Sequence, residues 1–336
     1  MEGMIGLARD IRAELARVVV GQDEALDLVL AAVLCQGHIL LEGVPGIGKT
    51  LIARSVAGAL ELSWRRVQFT PDLMPADILG TTVIEGTGGT YSLRFEEGPV
   101  FCNILLADEI NRASPKTQSA LLEAMQERAV TSRGSTRQLP KPFIVVATQN
   151  PIEMEGTYPL PEAQIDRFLF KAVLDYPPLD ELARIVDGSV GQTEPEARPV
   201  APAEGILALQ TACRNVVAAP DLVEFASRVA MATQPGQELA PQRVRSFGRY
   251  GAGPRGAQAL VLAAKASAML DGRFHAGVAD AQRFILPALR HRVSVNFQGQ
   301  IEGVRPEDLI GDAVDSAKSR RLPEAGLGPA AAGQPA

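Results

Sequence analysis

Cysteine and aromatic residues are scarce in this chain of 336 residues, which has three cysteines, one tryptophan and 5% aromatic side chains. The cysteines, Cys35, Cys102 and Cys213, lie far apart inside apolar stretches. Their spacing fits neither a disulfide framework nor the ligand set of a metal site. We therefore expect buried free thiols in a reducing compartment.

Long apolar runs and a surplus of positive charge are also missing. No run approaches the roughly 18 uninterrupted apolar residues of a membrane span. The N-terminus has neither a basic start followed by an apolar block nor a small-residue cleavage site. The formal net charge is −6, which counts against a surface shaped for nucleic acid. We expect a cytoplasmic protein with no membrane insertion and no stable nucleic-acid partner.

The first half of the chain alternates short apolar runs with longer helical periods. Four runs rich in leucine and β-branched residues predict buried strands, at 38–41, 103–107, 143–148 and 168–173. Buried runs of this length, separated by helices, are typical of a parallel sheet flanked by helices. The predicted fold class is therefore α/β.

The second half, after Asp175, consists of alanine-rich helical periods with little strand character. We predict a first domain at 1–176, a small all-helical second domain at 177–313 and a disordered tail at 314–336. The helices of the second domain are predicted at 179–186, 203–217, 222–233, 254–270 and 278–291.

A glycine-rich loop lies between the first predicted strand and a predicted helix, in the pattern G-x-x-x-x-G-K-[ST]. Glycines here allow backbone N–H groups to close around phosphate oxygens, and the helix N-terminus adds positive partial charge. Lys49 is placed to reach the outer phosphates and the Thr50 hydroxyl to ligate magnesium. We predict that the ligands are ATP and Mg²⁺. The residues of this loop predicted to bind the nucleotide are Gly43, Val44, Pro45, Gly46, Ile47, Gly48, Lys49, Thr50 and Leu51.

Two carboxylates, Asp108 and Glu109, directly follow the second apolar run. The end of a buried strand is where such a pair would meet the phosphate loop. Asp108 is predicted to hold the magnesium ion through water. Glu109 is predicted to orient and polarise the water that attacks the terminal phosphate.

Three further residues are candidates for the same site. Asn150 closely follows the third apolar run, so it would lie at the carboxyl edge of the sheet, where ligands of parallel sheets bind. There it would help to position the attacking water. Arg167 precedes the fourth predicted strand, and Arg255 begins a helix of the second domain. Either arginine would bring positive charge to the phosphates, although an isolated arginine is more often a plain surface charge.

With these motifs in view, residues 5–312 resemble an AAA+ ATPase, specifically a MoxR-type ATPase. The resemblance implies an AAA+ core followed by a helical lid, with an insert at 71–97 and a hairpin at 129–139 that both face the pore of a ring. Besides the phosphate loop and the Asp108–Glu109 pair, the segments that carry the resemblance are 98–112, 116–125, 147–152 and 156–168.

The resemblance also implies roles for single residues. Asn150 would be the first sensor, and Arg167 the arginine finger that reaches into a neighbouring subunit's site. Arg255 would be the second sensor on the lid, acting on its own or on the neighbour's nucleotide. Val19 and Val20 would border the adenine. Because a finger acts across an interface, the chain would form a homo-oligomeric ring, usually a hexamer.

For the function, the resemblance implies an ATP-driven molecular chaperone that remodels or matures client proteins, with von Willebrand factor A domain proteins as the expected clients. Three alternatives stay open. A nucleic-acid motor would carry the same site, but the hairpin at 129–139 lacks aromatic residues for base stacking. The ATPase subunit of a metal chelatase would carry similar inserts. A nucleotide-gated scaffold without turnover is disfavoured by the presence of Glu109.

Overall fold

The computed structural model describes residues 2–44, 46–87, 90–150, 157–189 and 196–319. Pro45 of the phosphate loop and residues 320–336 of the predicted tail lie outside the described residues. The helices are α1 (Glu2–Val18), α2 (Asp23–Leu34), α3 (Lys49–Ala59), α4 (Pro75–Leu79), α5 (Pro115–Glu127), α6 (Glu162–Ile165), α7 (Leu179–Ser189), α8 (Ala203–Asn215), α9 (Pro220–Ala232), α10 (Gln242–Phe247), α11 (Pro254–Leu270), α12 (Val278–Gln282), α13 (Ile285–Leu289), α14 (Phe297–Ile301) and α15 (Pro306–Ser319), with a 3₁₀ turn at Ile110–Arg112. The strands are β1 (Ile39–Glu42), β2 (Trp64–Gln68), β3 (Gly80–Thr87), β4 (Thr90–Glu97), β5 (Ile104–Asp108), β6 (Ala129–Ser132), β7 (Ser135–Gln138), β8 (Ile144–Gln149), β9 (Phe170–Val173), β10 (Val217–Ala218), β11 (Gly248–Tyr250), β12 (His275–Ala276) and β13 (Ser294–Val295).

Among the described residues, five parallel strands form the central sheet, in the order β2-β5-β8-β1-β9. β1 lies between β8 and β9, with Leu41 opposite Thr148 on one side and Ala172 on the other. All four predicted strands belong to this sheet, which confirms the α/β fold class. The carboxyl ends of β1, β5 and β8 lie side by side. The phosphate loop, Asp108 and Asn150 therefore meet at one edge of the sheet.

Both faces of the sheet are covered. In β5, Ile104 and Leu106 pack in the apolar cluster that includes α2 and α3. The alternate residues Leu105 and Ala107 pack in the cluster that includes α5. Because successive side chains of a strand point to opposite faces, this burial on both sides makes a three-layer arrangement. The continuous apolar run in the sequence reflects that double burial.

The edge strand β2 differs from the other four strands of the sheet because no apolar run predicts it. Trp64, Arg65 and Arg66 are exposed, and only Val67 of its five residues is buried. β2 pairs with β5 and has no second partner among the described strands. An edge position tolerates charged side chains, so the segment has no apolar signature.

Two antiparallel hairpins occupy the segments predicted as inserts. β3 and β4 pair along their whole length, beginning with Gly80 opposite Glu97. Residues 88–89, between the two strands, lie outside the described residues. β6 and β7 are joined by a two-residue turn at Arg133 and Gly134, whose φ angles are 50° and 79°. Positive φ at both turn residues matches the right-handed twist of a hairpin.

The C-terminal part is mostly helical, but it differs from the prediction in several places. The helix predicted at 278–291 is divided into α12 and α13 by Arg283 and Phe284. Two small strand pairs, β10 with β12 and β11 with β13, lie where the sequence predicts only helices. Strands of two or three residues are too short to leave a period-two pattern in the sequence.

The predicted disordered tail begins too early. α15 extends to Ser319, so residues 314–319 are helical. Ile310, Val314 and Ala317 recur at helical spacing and are buried in the main apolar cluster. This buried stripe fixes the last two turns of the helix.

Helix α2 connects the two halves of the molecule. It contacts β1 and β9 of the sheet and also α8 and α11 of the C-terminal part. Within this contact, Gln210 Nε2 of α8 donates a 2.8 Å hydrogen bond to the Val33 carbonyl of α2. Across the described part of the chain, no helix combines the length and the apolar character needed to cross a membrane.

Candidate nucleotide-binding site

The predicted phosphate loop forms the turn from β1 into α3. Gly46 and Gly48 have φ angles of 85° and 91°, a conformation that strains residues with a side chain. At Gly43, an added Cβ atom would lie 2.4 Å from Ile47 Cδ1, so the loop closes tightly there. Gly48 is also the N-cap of α3. The first N–H groups of that helix, which have no partner within the helix, therefore lie at the loop.

The Lys49 ammonium is held by carbonyl groups of this region. Its Nζ donates to the Gly43 carbonyl at 2.7 Å and to the Gln149 carbonyl at 3.4 Å. Burial lowers the pKa of Lys49, and the negative charges of Asp108 and Glu109 partly oppose that shift. Both carboxylates therefore lie within electrostatic range of the ammonium.

Asp108 is buried, with 8% of its surface exposed, at the end of β5. Its Oδ1 accepts a 2.6 Å hydrogen bond from the Thr148 hydroxyl. Its Oδ2 accepts two hydrogen bonds from Arg66, from Nε at 3.1 Å and from Nη2 at 2.7 Å. Both carboxylate oxygens of Asp108 thus have partners.

Glu109 is held by three side chains. Its backbone N–H donates to Thr148 Oγ1 at 2.8 Å, and its Oε2 accepts from Gln68 Nε2 at 2.8 Å and from Arg112 Nη1 at 2.9 Å. The φ angle of Glu109 is 55°, a left-handed conformation that costs a residue with a side chain about 1 kcal/mol. The contacts of its backbone and carboxylate hold the residue in that conformation.

The predicted magnesium ligands fit a magnesium ion. Thr50 lies in the first turn of α3, and Asp108 offers a buried carboxylate at the same sheet edge. Within the described residues, no group of three or more His, Cys, Asp or Glu side chains forms a metal site. Mg²⁺ suits a site with few protein ligands, because it keeps water and substrate phosphate oxygens in its shell.

A pocket of about 450 Å³ adjoins the phosphate loop. Its size and mainly apolar walls suit a purine base. One side of it is closed by Tyr176, which precedes α7, and by Leu182 and Ile185 of α7. The sequence-predicted residues that line it are Val19, Val20, Gly46, Ile47, Gly48, Thr50 and Leu51.

Asn150 follows β8 directly and is half-buried. The carbonyl of its neighbour Gln149 accepts hydrogen bonds from the Gly43 N–H at 3.4 Å and from Lys49. Asn150 is therefore one residue away from a direct backbone contact with the phosphate loop.

The two predicted arginines line a different cavity. Arg167 and Arg255 share a cleft of about 280 Å³, and none of its lining residues belongs to the pocket beside the phosphate loop. Among the described residues that line the cleft, five are arginines and Asp166 is the one carboxylate: the arginines are Arg128, Arg167, Arg214, Arg255 and Arg292.

Asp166 joins the C-terminal part to the core beside Arg167. Its carboxylate pairs with Arg255 Nη1 at 3.3 Å and with Arg292 Nε at 2.7 Å. Arg292 also donates to the carbonyls of Asp166 at 3.1 Å, Phe168 at 2.7 Å and Leu169 at 3.2 Å. Arg167 itself donates to the Leu122 carbonyl at 2.8 Å. The backbone around Arg167 is therefore fixed by an arginine from the C-terminal part.

Several side chains of this region carry no signal in the sequence. Arg66 and Gln68 belong to β2, which has no apolar signature; two positions apart on a strand, they share a face. Thr148 stands inside an apolar run. The walls formed by Tyr176, Leu182 and α7 fall at or beyond the end of the predicted first domain, and no local pattern marks them as part of a pocket.

Comparison with known proteins agrees with this geometry. The profile of the "ATPase family associated with various cellular activities (AAA)" matches residues 38–170, and that of the "AAA lid domain" matches residues 241–313. The chain is 42% identical over 314 residues to "Chaperone MoxR1" of Mycobacterium tuberculosis, covering 92% of this chain and 82% of the relative. It is 32% identical over 325 residues to "Protein MoxR" of Paracoccus denitrificans, covering 92% and 94%.

A solved structure agrees as well. A crystal structure of a candidate ATPase from Cytophaga hutchinsonii superposes with a TM-score of 0.86 and 35% sequence identity, covering 93% of this chain and 94% of the other. The chain therefore belongs to the MoxR-type family of AAA+ ATPases.

Proposed function

We propose that this protein binds ATP with Mg²⁺ beside the phosphate loop and hydrolyses it. The observation that carries the proposal is the meeting of three features at one sheet edge: the loop with Lys49, the Asp108–Glu109 pair, and a pocket of about 450 Å³. None of these features by itself defines an ATPase. Together they would accommodate the base, the phosphates and the attacking water.

Each residue has a defined task in this proposal. Lys49 would exchange its carbonyl partners for phosphate oxygens, which offer it a stronger, charge-assisted hydrogen bond. Glu109 would leave Gln68 and Arg112 to accept a proton from water, and Asn150 would orient that water. Thr50 and Asp108 would hold the magnesium ion, which when bound neutralises phosphate charge.

We also propose that Arg167 and Arg255 act on the nucleotide of a neighbouring subunit in a homo-oligomeric ring. Their cleft shares no lining residue with the pocket at the phosphate loop. A dense cluster of guanidinium groups is suited to phosphate recognition. A ring of six subunits would bring the cleft of one subunit to the pocket of the next.

The work done by hydrolysis would be the remodelling or maturation of client proteins in the cytoplasm. A relative with 42% identity carries the name "Chaperone". On the β3–β4 hairpin, Ile84, Tyr91 and Leu93 are exposed, and exposed apolar side chains of this kind suit contact with partly unfolded protein. For the clients we propose von Willebrand factor A domain proteins, on the family resemblance.

Affinity capture with a hydrolysis-deficient variant tests this proposal. Glu109→Gln keeps the size of the side chain but removes the base, so ATP should hold the protein in its client-bound state. Tagged Glu109→Gln would be expressed in cells and captured in ATP. Bound proteins would be identified by mass spectrometry, and nucleic acid by absorbance with and without nuclease.

The matched control is the double variant Lys49→Ala, Glu109→Gln, which should bind ATP poorly. Recovery of von Willebrand factor A domain proteins with Glu109→Gln, and their loss in the double variant, would support the proposal. Nuclease-sensitive recovery of DNA or RNA would instead favour a nucleic-acid motor. In a separate assay, stimulation of ATP turnover by a porphyrin and magnesium would favour a chelatase subunit.

A further inference from the structure

The Asp108–Arg66 pair occupies the carboxylate that the magnesium ion would need. Both guanidinium contacts of Arg66, at 3.1 and 2.7 Å, converge on Asp108 Oδ2. The Thr148 hydroxyl takes Oδ1 at 2.6 Å. A cation that is to interact with Asp108 Oδ2, directly or through water, must therefore compete with Arg66.

The two partners of Asp108 differ in their freedom to leave. Thr148 is fully buried (0% exposed) on the interior strand β8, so its hydroxyl cannot move into solvent. The Arg66 side chain is 48% exposed on the edge strand β2. An exposed arginine recovers its hydration when it swings away. Arg66 is therefore the partner that can be displaced from Asp108.

We propose that Arg66 is a positioning residue that holds Asp108 in the metal-free protein and is displaced from Oδ2 when Mg²⁺ enters with the nucleotide. This inference rests on the proposed role of Asp108 as a magnesium-binding residue. A carboxylate that is almost fully buried is costly without a counter-charge. Arg66 supplies that charge while the metal is absent, and the ion replaces it.

The displacement would also reach the second carboxylate. Arg66 Nη2 donates to Gln68 Oε1 at 3.1 Å, and the amide nitrogen of Gln68 holds Glu109 at 2.8 Å. Arg66 thus fixes the amide group that restrains Glu109. When Arg66 leaves, the Gln68 side chain loses this contact, and Glu109 becomes easier to release. In this proposal, binding of the metal and release of Glu109 are linked through Arg66 and Gln68 of β2.

The test measures the magnesium dependence of nucleotide binding, which does not require turnover. Binding of a fluorescent ADP analogue is measured at increasing Mg²⁺ concentration. The proteins compared are wild type, Arg66→Gln, Arg66→Lys and Arg65→Gln. Arg65 is the matched control, because it is the adjacent exposed arginine of β2. We expect Arg66→Gln to lower the half-saturating Mg²⁺ concentration by about fivefold, the effect of one contact of surface-pair strength. Arg66→Lys keeps a cation beside Asp108 and should lie close to wild type, as should Arg65→Gln.

Thermal unfolding in EDTA provides a second, independent readout. Without metal, Arg66→Gln should melt below wild type and below Arg65→Gln, because Asp108 loses the guanidinium group that pairs with it. Saturating Mg²⁺ and ADP should remove that difference. An unchanged or increased Mg²⁺ requirement in Arg66→Gln would overturn the inference. A different result would overturn the role of Asp108 and with it the proposed function. That result is nucleotide binding that does not respond to Mg²⁺ in wild type or in Asp108→Asn.

Discussion

Arg255 of the C-terminal part and Asp166 of the core form an ion pair at 3.3 Å across 89 positions of sequence. The pair holds Arg255 next to Arg167, in a cleft separate from the phosphate-loop pocket. If both arginines serve a neighbour's nucleotide, the active site is complete only between subunits.

Complementation between two inactive variants tests this shared site. Glu109→Gln has a defective base but intact arginines, and Arg255→Ala has the reverse defect. In an equal random mixture, about a quarter of the sites would combine an intact Glu109 with a neighbour's intact Arg255. We expect about a quarter of the wild-type turnover to return. No recovery above the separate variants would show that Arg255 serves its own subunit. Arg167→Ala is expected to behave as Arg255→Ala does, keeping nucleotide binding while losing turnover.

The pocket beside the phosphate loop predicts which residue of α7 governs nucleotide affinity. Leu182 lines the pocket, whereas Leu179, three positions earlier, is 83% exposed and does not. Leu182→Ala removes apolar contact with the base and should weaken nucleotide binding by about tenfold. Leu179→Ala is the matched control and should bind as wild type does. Isothermal titration with ADP distinguishes the two, and equal affinities for both variants would place the base elsewhere.

Two buried histidines predict loss of stability in acid. Burial lowers the pKa of His38 to about 4 and that of His291 well below its ordinary value. The unfolded chain, with a histidine pKa near 6.5, then binds more protons than the folded chain between about pH 6.5 and 4. Stability is therefore full above pH 6.5 and falls on acidification, by up to about 1.4 kcal/mol per pH unit for each histidine.

Melting temperatures between pH 7.5 and 5 check this prediction. His38→Asn should lower the melting temperature at neutral pH, since the Val145 N–H loses its 2.9 Å bond to His38 Nδ1, but it should flatten the dependence on pH. His275→Asn, at an exposed histidine, controls for removal of an imidazole. An equally steep acid transition in His38→Asn would contradict the assignment.

The parts of this molecule that could be predicted from the sequence are those whose signals are local. The phosphate loop, Asp108 and the four apolar strands of the sheet are each marked by a short pattern, because a buried parallel strand must be apolar on both faces. The sheet order then brings Asn150 to the same edge. The hairpin that the family resemblance implies at 129–139 is formed by β6 and β7.

The parts that could not be predicted depend on contacts distant in sequence. β2 is polar because it is an edge strand, so Arg66 and Gln68, which contact both carboxylates, have no signature. The Arg255–Asp166 pair depends on how the C-terminal part packs on the core. The helical residues 314–319 fall in the predicted tail because their apolar stripe is visible only when α15 is read as one helix that reaches Ser319.

The central claim, that Glu109 activates water for ATP hydrolysis at this site, is tested most directly by single-variant kinetics. ATP turnover and ATP affinity would be measured for wild type, Glu109→Gln and Lys49→Ala. We expect Glu109→Gln to bind ATP as tightly as wild type while its turnover falls by about a hundredfold or more, the usual contribution of a general base. Lys49→Ala should bind poorly. Near-normal turnover by Glu109→Gln would contradict the mechanism.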